Sequence, residues 1–271
     1  MKIGAVQFEP LFGEVDRNLE LAGSLIMKSD ANLLVLPELF NTGYLFTSKE
    51  EAISLSEKIP HGKTTRMLCD VAKEKGILVA GGIAEKSGDR IFNSAVLVSP
   101  DGYIGRYRKV HLFFEEKLWF DPGDEGFRAY DTGVCKVGMM ICFDWFFPES
   151  MRVLSLMGAD IICHPSNLVM PFCQDAMKTR SLENHVFAIT ANRTGTEGRG
   201  KKSLHFTGGS QVSGPDGRVL CRAGEDLEET VIAKIDVKAA RSKKVNFYNN
   251  LFDDRRPEFY RGITERDRRE F

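Results

Sequence analysis

The stretch "KVGMMICFDWFFPES" (136–150) decides the fold when it is laid beside "KIGAVQF" (2–8). Each opens with a lysine and continues as a short apolar run, the length and composition of a buried strand. The longer one then changes period abruptly at Cys142, where an acid, aromatics and Pro-Glu-Ser follow. The likeness extends outward in the same order. "ANLLVLPE" (31–38) matches "ADIICHPS" (159–166), and "SAVLVSPDG" (94–102) matches "SQVSGPDG" (210–217). The chain therefore repeats a strand, helix, strand, helix and hairpin series in two similar halves.

The helices between these strands follow from spacing. Residues 14–29 place Val15, Leu19, Ala22 and Ile26 on one helical face. Residues 148–157 begin at Pro148, which suits a first helical position, and stop at Gly158, which suits the residue after a helix. Residues 64–75 and 175–184 read as paired helices, with "ILVAGGIAE" (77–85) and "VFAITANRT" (186–194) as the strands that follow. Each "PDG" fits a turn, Pro setting φ and Gly allowing positive φ. Strand-helix-strand units imply right-handed crossovers, and two half-units with helices on one face can bury their bare sheet faces together. The expected fold class is α/β: a four-layer α-β-β-α sandwich with an internal pseudo-twofold duplication. It spans 1–271 as one domain, because no Gly/Ser- or Pro-rich linker parts the halves. The competing topology is a single doubly wound sheet.

Composition narrows the function. The 271 residues are 42% hydrophobic and 28% charged, an ordinary globular balance. A net charge of -1 provides no field to recruit nucleic acid or an acidic membrane. The first apolar run, "IGAV", is far too short for a secretion signal, and no run approaches a membrane span. Six cysteines (69, 135, 142, 163, 173, 221) form no C-x-x-C pair, which argues for free thiols in a reducing cytoplasm. The tail, 241–271, interleaves both charge signs with Phe247, Tyr248, Phe252, Phe259, Tyr260 and Phe271. Its acids Asp253, Asp254, Glu258 and Asp267 argue against a nucleic-acid arm. We expect an arm whose aromatics dock at a subunit interface.

Strand ends are where such a fold exposes functional groups, and three of them stand out. "LLVLPELF" (33–40) ends an apolar run with Glu38, "GRYRKVHLF" (105–113) carries Lys109 after a hairpin, and the third is Cys142. A thiol is mostly protonated at neutral pH and needs a base or a nearby cation to act as a nucleophile. Glu38 can take its proton. Lys109 can stabilise the thiolate and then the oxyanion formed when sulfur attacks a carbonyl, with the Phe143 N–H as a second donor. Water activated by the same Glu38 would release the acyl group from sulfur. Each residue alone has a plain structural role open to it; their joint placement is what points to chemistry.

"LPELFNTGY", "YRKVHLF" and "GMMICFDWFFPE" resemble the three signature blocks of the nitrilase superfamily, the carbon–nitrogen hydrolases. The resemblance runs from "KIGAVQFEP" through "GDEGFRAYDT", "GADIICHPSNLV", "TRSLENHVFAITANR" and "GGSQVSGPDG", essentially residues 1–237. It implies the α-β-β-α sandwich, a Glu-Lys-Cys triad of Glu38, Lys109 and Cys142, and a further glutamate at Glu116 (Glu115 being the weaker candidate) that positions substrate or holds Lys109. It also implies a homodimer or higher homo-oligomer across Phe146, Phe147 and the 148–157 helix, with no cofactor and no metal. Phe143-Asp144 after the nucleophile, where true nitrilases commonly have Trp-Glu, resembles the amidase and carbamoylase branches. The expected activity is hydrolysis of a small linear amide through a cysteine thioester, releasing ammonia or amine. Nitrile or N-carbamoyl hydrolysis is the alternative within the family.

Tyr44, Phe113, Trp119, Trp145, Asn167 and Met170 lie close in sequence to these blocks and are candidates to line a substrate pocket, though each would serve equally in a core. Arg180 falls three residues before Glu183 on one helical face, so an ion pair is expected rather than a carboxylate-binding site. Competing chemistries fit less well. A papain-like enzyme would use His111 or His164, but its local signature is missing. Cys163 and His164 are adjacent on a strand and point to opposite faces, which excludes a zinc pair. "TGTEGRGKKS" (194–203) lacks the phosphate-loop pattern and reads as a mobile loop near the pocket mouth. A non-catalytic scaffold retaining the fold would be marked by loss of a triad member, and all three are present.

Overall fold

A computed structural model of the chain describes residues 1–265; Asp267 and Phe271 of the tail lie outside the described residues. In chain order the first half contains β1 (Lys2–Gln7), α1 (Val15–Lys28), β2 (Leu33–Val35), α2 (Lys49–Leu55), α3 (Lys63–Lys75), β3 (Leu78–Ser87), β4 (Arg90–Ser99), β5 (Gly102–Arg108) and the short α4 (Glu116–Trp119). The second contains β6 (Ala129–Asp131), β7 (Lys136–Met139), α5 (Pro148–Leu156), β8 (Ile161–Ser166), α6 (Cys173–Asn184), β9 (Phe187–Asn192), β10 (Thr196–Arg199), β11 (Lys202–His205), β12 (Gln211–Ser213), β13 (Val219–Arg222) and β14 (Glu229–Lys234).

Two six-stranded sheets form, ordered β14-β1-β2-β3-β4-β5 and β13-β12-β9-β8-β7-β6. β1, β2 and β3 run parallel, as do β7, β8 and β9, and hairpin strands continue each sheet antiparallel. The duplication read from sequence is therefore structural. The halves also interlock, because β14, from the end of the chain, returns to pair with β1.

Alternation along β2 explains the layers. Leu33 and Val35 join an apolar cluster with Val137, Met139, Ile161 and Ile189 of the other sheet. Leu34 and Leu36 join Leu19, Ala22 and Ile26 of α1 and Leu68 and Ala72 of α3. A strand buried on both faces has period-two neighbours on each side, so it reads as a continuous apolar run. On the other sheet, Met151 and Leu154 of α5 and Met177 of α6 are buried in the same cluster as Ile162. α5 starts at Pro148 and is followed by Gly158 at φ +87°. Arg180 pairs with Glu183 at 3.2 Å, as its spacing suggested.

One expectation needs correction. "TGTEGRGKKS" is not an irregular loop: β10 and β11 pair from Thr196–His205 to Arg199–Lys202. Glycine and lysine content hid the strand pattern. What holds the hairpin is Glu197, buried through an ion pair with the fully buried Arg193 and through the N–H groups of Tyr44 and Leu45. In the tail, Lys243 donates to the carbonyls of Asn184, His185 and Ala240 and so anchors it to the end of α6, while Phe247, Tyr248 and Phe259 remain exposed. No described helix is long and apolar enough to cross a membrane.

Candidate active site

The three candidate residues each follow the C-terminal end of a strand: Glu38 after β2, Lys109 after the edge strand β5, and Cys142 after β7. Glu38 follows β2 through Leu36 and Pro37 and is fully buried. Gly82 of β3 passes directly beneath it: a Cβ at Gly82 would stand 2.5 Å from Glu38 Cα and 2.9 Å from the Leu39 nitrogen. Lys109 leaves β5, its N–H held by the Asn93 carbonyl at 2.8 Å. Its Nζ donates to Glu38 Oε1 at 2.6 Å and to Glu116 Oε1 at 2.8 Å. Asn93 Nδ2 donates to the same Glu38 oxygen at 2.7 Å, and the Tyr44 hydroxyl donates to Glu116 Oε1 at 2.7 Å. Glu38 Oε2 is left buried without a hydrogen-bond partner among the described residues. One carboxylate oxygen is thus saturated and the other is a free acceptor.

Cys142 follows β7 and opens a 3-10 turn over Cys142–Phe146, with φ of +39°. That left-handed conformation is uncommon for a residue with a Cβ and marks a sharp, constrained turn. Asp144 holds it. Its Oδ2 accepts from the Ile141 N–H and the Tyr107 hydroxyl, both at 2.8 Å, and its Oδ1 accepts from His111 Nδ1 at 2.7 Å. The His111 ring stacks on Phe147 at 3.7 Å. The acid two residues past the thiol therefore fastens the Cys142 turn to the segment, 107–111, that carries Lys109.

The electrostatics follow from burial. Burial pushes the Cys142 thiol well above its ordinary value; Glu38 and Glu116 push the same way, and Lys109 opposes them. The geometric link is Phe113, whose N–H donates to Glu116 Oε2 at 3.3 Å and which lines one cavity with Cys142. Burial also raises Glu38, to about 7; Lys109 opposes that rise and Glu116 adds to it. Burial alone would lower Lys109, but Glu116 and Glu38 overcome it and hold the amine firmly protonated. The resting site thus holds a neutral thiol, a fixed ammonium and a carboxylate that changes charge near neutrality.

A narrow cavity in front of Cys142 is lined by Phe113, Phe143, Trp145, Asn167, Leu168 and Met170, so four of the six suggested pocket residues converge there. Tyr44 does not line that cavity, and its hydroxyl donates to Glu116 Oε1. Trp119 does not line the cavity and packs instead in the cluster of Leu39, Phe46 and Phe120. Its place in α4 turns it toward that core. Glu115 is on the surface, paired with Lys202 at 2.7 Å, whereas Glu116 is buried on Lys109. Cys142 Sγ lies 3.7 Å from the Asn167 carbonyl oxygen, and both polar atoms of the Asn167 side chain are buried and unpartnered among the described residues. Asn93 and Tyr107 escaped the sequence reading. Asn93 left one signal, a polar residue inside the apolar run "IFNSAVLV" (91–98). No group of three or more His, Cys, Asp or Glu among the described residues could hold a metal ion.

Comparison with known proteins points the same way. The carbon–nitrogen hydrolase family model matches residues 2–245. A nitrilase of Pyrococcus abyssi is 50% identical over 263 residues, covering 96% of this chain and 99% of its own. An (R)-stereoselective amidase of a Pseudomonas species is 35% identical over 249 residues, covering 89% of this chain and 88% of its own. The crystal structure of a carbon–nitrogen hydrolase from Helicobacter pylori G27 superposes with a TM-score of 0.88 at 27% identity, covering 98% of this chain and 99% of its own.

Proposed function

The chain belongs to the carbon–nitrogen hydrolase family; from that premise we propose that it is a cysteine-dependent enzyme that hydrolyses a small linear amide through a thioester on Cys142. Glu38 Oε2 takes the thiol proton as sulfur adds to the amide carbon. The oxyanion is held by Lys109 Nζ and the Phe143 N–H. Collapse breaks the C–N bond, and Glu38 returns its proton to the leaving ammonia or amine. Water, deprotonated by the same carboxylate, then adds to the thioester, and the acid leaves as sulfur recovers its proton. Glu116 and Tyr44 hold Lys109 in place.

The observation that carries this reading is the asymmetry of Glu38. One oxygen is saturated by Lys109 and Asn93, and the other is buried and unpaired among the described residues, while Lys109 also holds Glu116, which binds the Phe113 N–H beside the Cys142 cavity. The preference for an amide comes from Asn167. Its carboxamide offers a donor and an acceptor, and a buried site leaving both unmet discriminates strongly against a ligand that cannot pair them. A carboxamide pairs with both; a nitrile accepts only. The aromatic walls and narrow cavity suit a small acyl group. Nitrile hydrolysis is the second reading, favoured by the identity to the Pyrococcus abyssi nitrilase.

The test is ammonia release from propionamide, N-carbamoylputrescine and malononitrile, each run beside Cys142→Ala and Asn167→Leu. Turnover of propionamide that vanishes in Cys142→Ala and falls at least tenfold in Asn167→Leu supports the amide reading; turnover of malononitrile alone replaces it. We take the whole of 1–271 to act as one unit in a homo-oligomer, because large apolar side chains such as Phe114, Phe146, Phe172 and Phe247 stand exposed. A monomer by sedimentation at micromolar concentration would contradict this. Six free cysteines support a reducing, cytoplasmic setting.

A further inference from the structure

His164 has no part in the chemistry above, yet it touches the nucleophile's backbone. It sits on β8 and is fully buried. Its Nε2 lies 2.9 Å from the carbonyl oxygen of Cys142, and its Nδ1 lies 3.1 Å from Thr190 Oγ1 on the adjacent β9. A carbonyl can only accept, so Nε2 carries the proton and Nδ1 presents its lone pair to the threonine hydroxyl. The Ser166 hydroxyl lies 3.2 Å from the same Nε2 and donates to the His164 carbonyl. Burial depresses the ring's pKa to about 4, so near neutral pH it stays a neutral donor.

The peptide joining Cys142 to Phe143 is planar, and its C=O and N–H point in opposite directions. A group that grips the oxygen therefore aims the Phe143 N–H, for which no acceptor exists among the described residues. The grip matters here because Cys142 sits at φ +39°, a conformation its own backbone does not favour.

We propose that His164 is the positioning residue of the oxyanion site: its Nε2–H holds the Cys142 carbonyl so that the Phe143 N–H faces the oxygen of a carbonyl under attack. This rests on the reading of Cys142 as nucleophile and Phe143 as oxyanion donor. It predicts a split between two reactions of one thiol. Acylation by p-nitrophenyl acetate forms the Sγ–C bond by addition to a carbonyl, passes through an oxyanion, and expels p-nitrophenolate while Glu38 takes the thiol proton. Alkylation by iodoacetamide forms the Sγ–CH2 bond and expels iodide in one displacement, with Glu38 again taking the thiol proton and with no oxyanion.

Both rates are measured in wild type, His164→Asn, His164→Gln, His164→Leu and Cys142→Ala. A glutamine amide reaches where Nε2 stands; an asparagine amide reaches only as far as Nδ1, so the two differ in reach and not in polarity. In His164→Leu and His164→Asn we expect acylation to slow by roughly 10–100-fold, somewhat less than removal of an oxyanion donor costs, with alkylation changed less than twofold. His164→Gln should recover most of the acylation rate. If His164→Leu does not fold, the Asn and Gln pair decides. Wild-type acylation in His164→Asn, equal slowing of both reactions, or no recovery in His164→Gln overturns the proposal. If Cys142→Ala is acylated and alkylated at the wild-type rates, the nucleophile reading falls instead, whatever the His164 variants do.

Discussion

Acidifying the enzyme from pH 8 to pH 5 should lower kcat/KM for its amide substrate roughly a hundredfold through one group, Glu38. Burial moves that carboxyl from its ordinary 4.5 up to about 7, against the pull of Lys109 and with the push of Glu116. The base must be ionised to accept the thiol proton, so the active fraction falls as pH drops through 7. At pH 5 about one molecule in a hundred retains the carboxylate, and the rate loses roughly tenfold per pH unit below the limb. A glutamate at its ordinary value would still be mostly ionised there and would cost less than twofold. Cys142 adds no rising limb near 8.5, because burial holds its thiol well above that, and the proton leaves only as sulfur attacks. The assay is ammonia release at low substrate from pH 4.5 to 9, with circular dichroism at each pH to show that the fold persists. A second series with Glu116→Gln tests the cause, since removing a charge that raises Glu38 must move the limb to lower pH, whatever happens to the plateau. A wild-type limb below about pH 5.5, or one that rises in Glu116→Gln, would refute the argument.

Gly82→Ala should cost about 1–3 kcal/mol in urea unfolding, and more in activity than in stability, because the added Cβ meets the backbone of Glu38 and Leu39, which cannot swing aside. Tyr44→Phe removes the donor to Glu116 Oε1 and should destabilise by about 1.5 kcal/mol with a several-fold loss of kcat, read by the same unfolding curve and by ammonia release. Lys109→Met leaves two buried carboxyl groups without their cation. A destabilisation of about 3–5 kcal/mol is expected, reduced at low pH where Glu38 is protonated, together with loss of turnover by more than a thousandfold.

Much of this was legible in the linear chain. The matched runs at 2–8 and 136–142, and at 31–38 and 159–166, foretold two equivalent sheets, because strands buried on both faces must be apolar throughout. Glu38 and Cys142 stood out because each breaks such a run at its end, and Lys109 because it follows a hairpin strand. Helix limits at Pro148 and Gly158 are local chemistry and needed no partner. The hairpin at 196–205 was not legible: its strands are held by Arg193, Glu197 and the backbone of residues 44 and 45, about 150 positions away.

What the amino-acid sequence determined alone is therefore whatever depends on near neighbours: element type, the repeat, and which polar residues end apolar strands. The tertiary structure decided the rest. It turned Trp119 into a core and Tyr44 onto Glu116, and it made Asn93 share one oxygen of Glu38 with Lys109. It also aimed His164 at the Cys142 carbonyl. Hydrogen bonds act over about 3 Å and require direction as well as distance, and a pKa depends on how completely water is excluded. Neither quantity exists until strands remote in the chain have closed around the same point.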